Sequence, residues 1–175
     1  GENGLSGEFN KLVLAAKKEF DNTPGGVWIS TNRGTSWYKR LERNKCASPV
    51  FTSAGDLFVN CDGDIYRILS SEITSSTADN FTVVYNGNNF NGGREGIAVD
   101  PNNANILYAS VNLYDIIRTT NNGNSWNVIK TFAVRPMSPS LLVDPNNSNI
   151  IYYSSEESYP HSSWGGIVKG AYSGS

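Results

Sequence analysis

The chain has 175 residues and a net charge of −2, from 14 Lys plus Arg against 16 Asp plus Glu. That is enough chain for one domain with a buried core, and the mixed signs leave no basic footprint for nucleic acid or a membrane surface. No apolar run is long enough to span a bilayer.

The chain opens on the polar GENGLSGEFN, which does not read as a signal peptide, so a secreted form would already have lost its signal. Asn, Gly, Ser and Thr are abundant, while Lys, Glu and Met are scarce. Few charged helix formers and many turn formers predict an all-β protein of many short strands. No segment holds a 3.6-residue apolar period, and Leu14 to Phe20 reads as strand followed by loop.

Taken in order, the chain divides into four units, approximately 1–45, 46–90, 91–135 and 136–175. The first has strands Lys11 to Ala16, Val27 to Ser30 and Trp37 to Leu41. The second has Ser48 to Thr52, Asp56 to Asn60, Asp64 to Ile68 and Phe81 to Tyr85, with the polar insert SSEITSSTADN showing no turn signature before its last strand. The third has Gly96 to Val99, Ile106 to Ser110, Ile116 to Thr119 and Trp126 to Thr131. The fourth has Ser140 to Val143, Ile150 to Ser154 and Gly166 to Ala171.

Two repeats set this division. IAVDPNNANILYAS recurs as LLVDPNNSNIIYYS, and the step from Asp100 to Asp144 is 44 residues, the length of a four-stranded propeller blade. GGVWISTNRGTSW recurs as DIIRTTNNGNSW. Ser30 falls on Thr119, Asn32 on Asn121, Gly34 on Gly123, Ser36 on Ser125 and Trp37 on Trp126. This is hairpin-turn chemistry. The Asn side chain caps N–H groups of its own turn, Gly takes positive φ, Ser bonds within the turn, and Trp opens the returning strand and covers the turn.

The pattern resembles the Asp-box, or BNR repeat, of β-propellers such as sialidases, sortilin-type receptors, photosystem assembly factors and the family 74 glycoside hydrolases (xyloglucanases). Asn stands where the family has Asp in both boxes. The VDP-Asn turn and Arg94-Glu95 before it also resemble family 74 proteins. The resemblance implies four-stranded antiparallel blades, boxes on the outer rim, and a ligand face at the opposite end. The first unit lacks an inner strand and the fourth an outer one, and Leu5 to Phe9 is the one candidate for either. The chain is then a closed four-bladed propeller or about half of a larger one. Asp-box propellers usually have six or seven blades, which favours the half.

The ligand face would gather Lys17 to Thr23, Cys61 to Gly63, Asn112 to Asp115 and Glu156 to Gly165. Inter-blade loops Arg43 to Lys45, Asn86 to Arg94 and Ala133 to Pro139 join it. EESYPHSSWGG carries Glu156, Glu157, Tyr159, His161 and Trp164, and Tyr114 with Asp115 holds the equivalent place in the third unit. Rings beside carboxylates suit sugars, because a pyranose stacks on a ring while carboxylates accept from its hydroxyls. The same loop also reads as surface structure anchored by its own Tyr159 and Trp164.

A glycosidase needs a carboxylate pair. Asp62, Asp64, Asp115, Glu156 and Glu157 are available, but the family's catalytic motifs and the sialidase arginine triad are not recognisable. The expected ligand is polysaccharide or protein, with no cofactor and no metal, since the box Asn side chains are neutral. A second chain or second copy would complete an open propeller. Cys46 and Cys61 fit either a disulfide or two buried thiols. Asn80 and Asn146 are formal glycosylation sequons.

Overall fold

A computed structural model describes residues 10–16, 25–74, 79–87, 96–112, 114–132, 137–156 and 166–173, with the backbone alone at 137–139 and 155–156. Its strands form four antiparallel sheets, each a meander in chain order. Sheet 1 holds β1 (Leu12–Ala16), β2 (Gly26–Ser30) and β3 (Tyr38–Leu41). Sheet 2 holds β4 (Cys46–Phe51), β5 (Leu57–Cys61), β6 (Asp64–Ile68) and β7 (Thr82–Tyr85). Sheet 3 holds β8 (Ile97–Val99), β9 (Leu107–Val111), β10 (Asp115–Thr119) and β11 (Asn127–Thr131). Sheet 4 holds β12 (Met137–Asp144), β13 (Asn147–Glu156) and β14 (Gly166–Ala171). No described helix is long and apolar enough to cross a membrane.

The third strands open in register at Gly26, Asp64, Asp115 and Gly166, each paired with the end of the strand before it. Sheet 1 therefore lacks the first strand of the repeat, and sheet 4 lacks the fourth, among the described residues. Pro49 and Pro139 both lie on the innermost strand of their sheets, an edge where a missing N–H leaves no ladder bond broken.

Strand alternation sends neighbouring residues to opposite faces, and the sheets stack through those faces. Val27, Ile29 and Leu41 of sheet 1 pack on Leu57, Val59, Cys61 and Tyr66 of sheet 2. Phe58 and Ile65, on the other face of sheet 2, pack on Leu107, Ala109 and Ile117 of sheet 3. Ala98, Tyr108 and Ile116 then pack on Val143, Ile151 and Tyr153 of sheet 4. The innermost strands meet in series, β1 with β4, β4 with β8 and β8 with β12. Three packed interfaces join four sheets, and sheets 1 and 4 stand at the ends.

Cys46 and Cys61 form a disulfide directly across β4 and β5. The flanking pair, Lys45 and Asp62, is hydrogen bonded through the Asp62 N–H, so the cysteines occupy a non-hydrogen-bonded pair, where side chains approach most closely.

The first, described part of the insert between β6 and β7 carries structure that its sequence does not suggest. Ser70–Glu72 forms a 3-10 turn. Asp56 Oδ1 accepts from the Ser70 N–H at 2.7 Å. The buried Arg40 guanidinium donates to the Glu72 and Thr74 carbonyls at 3.0 and 2.9 Å. Ile73 then buries its side chain in the apolar cluster between sheets 1 and 2. The turn is held from other elements, so local sequence carries little sign of it.

Candidate functional site

The two recurrent turns, between β2 and β3 and between β10 and β11, are superposable in their hydrogen bonds. Ser30 Oγ accepts from the N–H groups of Asn32 and Gly34 at 3.3 and 2.7 Å, and Thr119 Oγ1 from those of Asn121 and Gly123 at 3.2 and 3.0 Å. Asn32 Oδ1 accepts from the Ser36 N–H, and Asn121 Oδ1 from the Ser125 N–H, both at 2.9 Å. Asn32 Nδ2 donates to Ser36 Oγ, as Asn121 Nδ2 does to Ser125 Oγ, again at 2.9 Å. That last bond explains the Asn: it donates where a carboxylate would have to accept, so the turn closes without a charge. Arg33 and Asn122, just before the glycines, also take the left-handed conformation.

Each turn is also a latch. The Arg33 N–H donates to Asn10 O and the Asn122 N–H to Asn105 O, both at 3.1 Å. The second turn reaches sheet 2 as well. Arg67 Nη1 donates to Asn122 O and to Asn124 Oδ1, and Asn122 Nδ2 donates to Asp56 Oδ2 at 2.7 Å. A Cβ on Gly123 would lie 2.9 Å from the Phe58 ring, so the turn can sit this close only with glycine there. These ends of the sheets are occupied by structure.

The opposite end, where the second and third strands meet, is the candidate ligand surface. Asp62 and Asn112 are equivalent turn residues, both left-handed. The backbones of Gly63 and Gly87 touch there, since a Cβ on Gly87 would lie 2.2 Å from Gly63 O. Asp64 Oδ1 accepts from the Gly87 N–H at 2.8 Å, and Asp62 Oδ2 from the Asn44 N–H at 3.3 Å. Asn112 Nδ2 donates to the Tyr85 hydroxyl at 3.2 Å, tying sheet 3 to sheet 2. Burial raises the Tyr85 pKa, and the Asp115 charge adds to that. Arg43 Nε donates to the Tyr66 hydroxyl at 2.9 Å with its guanidinium over the ring, and that bond holds the Arg43 pKa up.

Of the residues singled out from sequence, Tyr114 and Asp115 stand at this end. Tyr114 is 42% exposed, and its carbonyl accepts from the Phe132 N–H. Asp115 Oδ1 accepts from Thr131 Oγ1 at 2.6 Å, across β10 and β11. Glu156 ends β13, its backbone paired with Met137. Glu157, Tyr159, His161 and Trp164 lie outside the described residues, as do Lys17 to Thr23 and Arg94. No group of acidic, His or Cys side chains that could hold a metal occurs among the described residues.

Sequence reasoning passed over Asn60. Its side chain is fully buried between sheets with both amide atoms unpartnered, at the position that Ser110 holds one sheet later. An Asn inside an otherwise apolar strand was the available signal. Arg40 and Asp56 were also passed over, because what they bind is distant in sequence.

No family model and no curated protein matches the chain. Among solved structures it is similar to a family 74 glycoside hydrolase enzyme from Niastella koreensis, over 93% of this chain and 27% of that one, with a TM-score of 0.64 at 16% identity. The fold is that of a β-propeller. A family 74 xyloglucanase from Xanthomonas campestris aligns over 85% of this chain and 22% of its own, with a TM-score of 0.55 at 15% identity. An auxiliary nutrient binding protein from Bacteroides thetaiotaomicron aligns over 83% of this chain and 40% of its own, with a TM-score of 0.56 at 13% identity. The propeller blades described here thus span between about a fifth and two fifths of these structures.

Proposed function

We propose that this chain is a segment of a carbohydrate-directed propeller that binds polysaccharide on the end of the sheets carrying Tyr114 and Asp115. The observation that carries the reading is the exposed Tyr114 ring beside a carboxylate, on the end the latching turns leave free. A pyranose stacks its C–H face on such a ring, while the second Asp115 oxygen and the amide of Asn112 bond its hydroxyls. The fourth sheet's loop would extend this surface with Glu156, Glu157, Tyr159, His161 and Trp164. The similarity to family 74 enzymes, a xyloglucanase and a nutrient binding protein supports the ligand class.

In Asp62, Asp64 and Asp115 one oxygen is held by a hydrogen bond within the chain, an arrangement that suits binding. If the chain belongs to an enzyme, that enzyme is a glycoside hydrolase. The buried Cys46–Cys61 disulfide supports an extracellular setting, since such bonds persist in oxidising compartments.

Calorimetric titration with xyloglucan oligosaccharides tests the reading. Binding that weakens about tenfold or more in Tyr114→Ala supports it. No binding to xyloglucan or other plant polysaccharides, and no released product, contradicts it. A non-catalytic protein-interaction propeller, or a subunit of a larger extracellular assembly, is the second reading, and the exposed end faces favour it.

A further inference from the structure

We propose that the outer faces of sheets 1 and 4 are the two halves of one interface, and that a second copy of this chain closes them head to tail. The register of the sheets carries this. Counting from the residue that opens each third strand, Val27, Ile65, Ile116 and Ile167 are equivalent, as are Val13, Phe58, Tyr108 and Tyr152. In sheets 1, 2 and 3 these residues face the next sheet and pack on it. Sheet 4 has no next sheet among the described residues: Ile116 is 3% exposed and Ile167 is 78% exposed. The reverse holds at the other end. Leu57, Leu107 and Leu12 are equivalent, as are Val59, Ala109 and Leu14. In sheets 2 and 3 they pack on the preceding sheet, whereas in sheet 1 Leu14 is 53% exposed.

The polar contacts repeat too. Arg67 and Arg118 hold one register position, and both donate onto the following sheet, to Asn122 and Asn124 and to Asn149. Lys169 holds the same position in sheet 4. Trp126 packs with residues of sheet 2, its ring T-shaped to that of Tyr85, while its counterpart Trp37 in sheet 1 is exposed. Each end face thus presents residue types that an interior interface of this molecule already buries. What fits one end is the face at the other end. A second copy brings that face with it, and two arcs joined at both ends make a ring of about eight blades, within the range propellers use. A head-to-tail contact of this kind closes when its rotation completes the circle.

Light scattering coupled to size exclusion, over a concentration series, tests this on the 175-residue chain. The expected result is twice the 19.1 kDa chain mass at high concentration, dissociating on dilution. Ile167→Asp and Leu14→Asp lie on exposed faces, so each variant should keep the monomer's circular dichroism and melting behaviour. Each should weaken dimerisation by about tenfold or more. Mixed together, the two variants should form a dimer, because one interface then joins two unaltered faces. A monomer at every concentration overturns the proposal. So does a dimer sensitive to one variant alone, which would mean like faces meeting. Protection of both faces by further blades of a longer polypeptide also overturns the second copy.

Discussion

Sheets 2 and 3 are buried on both faces, whereas sheets 1 and 4 are buried on one. Tyr108 and Tyr152 show what that difference does to a single residue type. Both sit on the second strand, facing forward, each under a cation from the neighbouring strand, Arg118 over Tyr108 and Lys169 over Tyr152. Tyr108 is fully buried, and its hydroxyl donates across the interface to Ser148 O at 2.6 Å. Burial raises its pKa, against the pull of Arg118. Tyr152 faces no further sheet among the described residues, and its hydroxyl donates instead to Asp144 Oδ2 at 2.9 Å. That bond raises the tyrosine's pKa, and with the Asn146 N–H it lowers that of Asp144. The same position is an interface bolt in one sheet and a local tie in the next.

The comparison can be broken first at the core. Phe58→Ala in the interior should cost about 3 to 5 kcal/mol, since the site is sealed by the turn at Gly123. Tyr152→Ala at the end should cost the monomer far less, and urea unfolding of the two variants side by side checks the contrast. A comparable loss in both would mean that the end face is covered.

Replacing Cys46 and Cys61 together by Ala should cost about 3 kcal/mol, the loop-entropy value for a crosslink spanning 15 residues. This is read from denaturant unfolding and should not alter the balance between the two ends. Tyr108→Phe removes two interior hydroxyl bonds, the one donated to the Ser148 carbonyl and the one accepted from Arg118 Nε, for about 1 to 3 kcal/mol. Tyr152→Phe removes only the local bond to Asp144, on a half-buried side chain, and should cost less, about 0.5 kcal/mol.

A smaller effect comes from pH. The folded pKa values of Tyr85 and Tyr108 are raised by burial, so the folded state holds those protons more tightly than the unfolded one. Their contribution is present in full below pH about 10 and is lost as pH rises through the raised folded values. Wild-type stability should therefore fall on that limb, and the fall should be shallower in Tyr108→Phe. An unchanged slope would sever Tyr108 from the buried interface.

Much of this arrangement was written locally. The strand order, the incomplete first and fourth units and the hairpin turns follow from period-two strands and Asn-Gly turn chemistry, which act over a few residues. The latching role of the turns was not local. Arg67 meets Asn122, and Asp56 meets both Ser70 and Asn122, only once the sheets stack. The 3-10 turn at Ser70–Glu72 depends on Arg40 in the same way. At the end proposed to bind ligand, Tyr114 and Asp115 could be placed because they flank a short hairpin. The partners of Asp115 and Asn112, Thr131 and Tyr85, come from other strands and needed the fold to be seen.

The most direct test of an arc with two open ends is hydroxyl-radical footprinting of the dilute monomer, read residue by residue by mass spectrometry. Ile167 should be oxidised much faster than its interior equivalent Ile116, and Leu12 and Leu14 much faster than Leu107. Equal protection of each pair in a 19.1 kDa monomer would mean that sheets 1 and 4 meet and the four blades close on themselves.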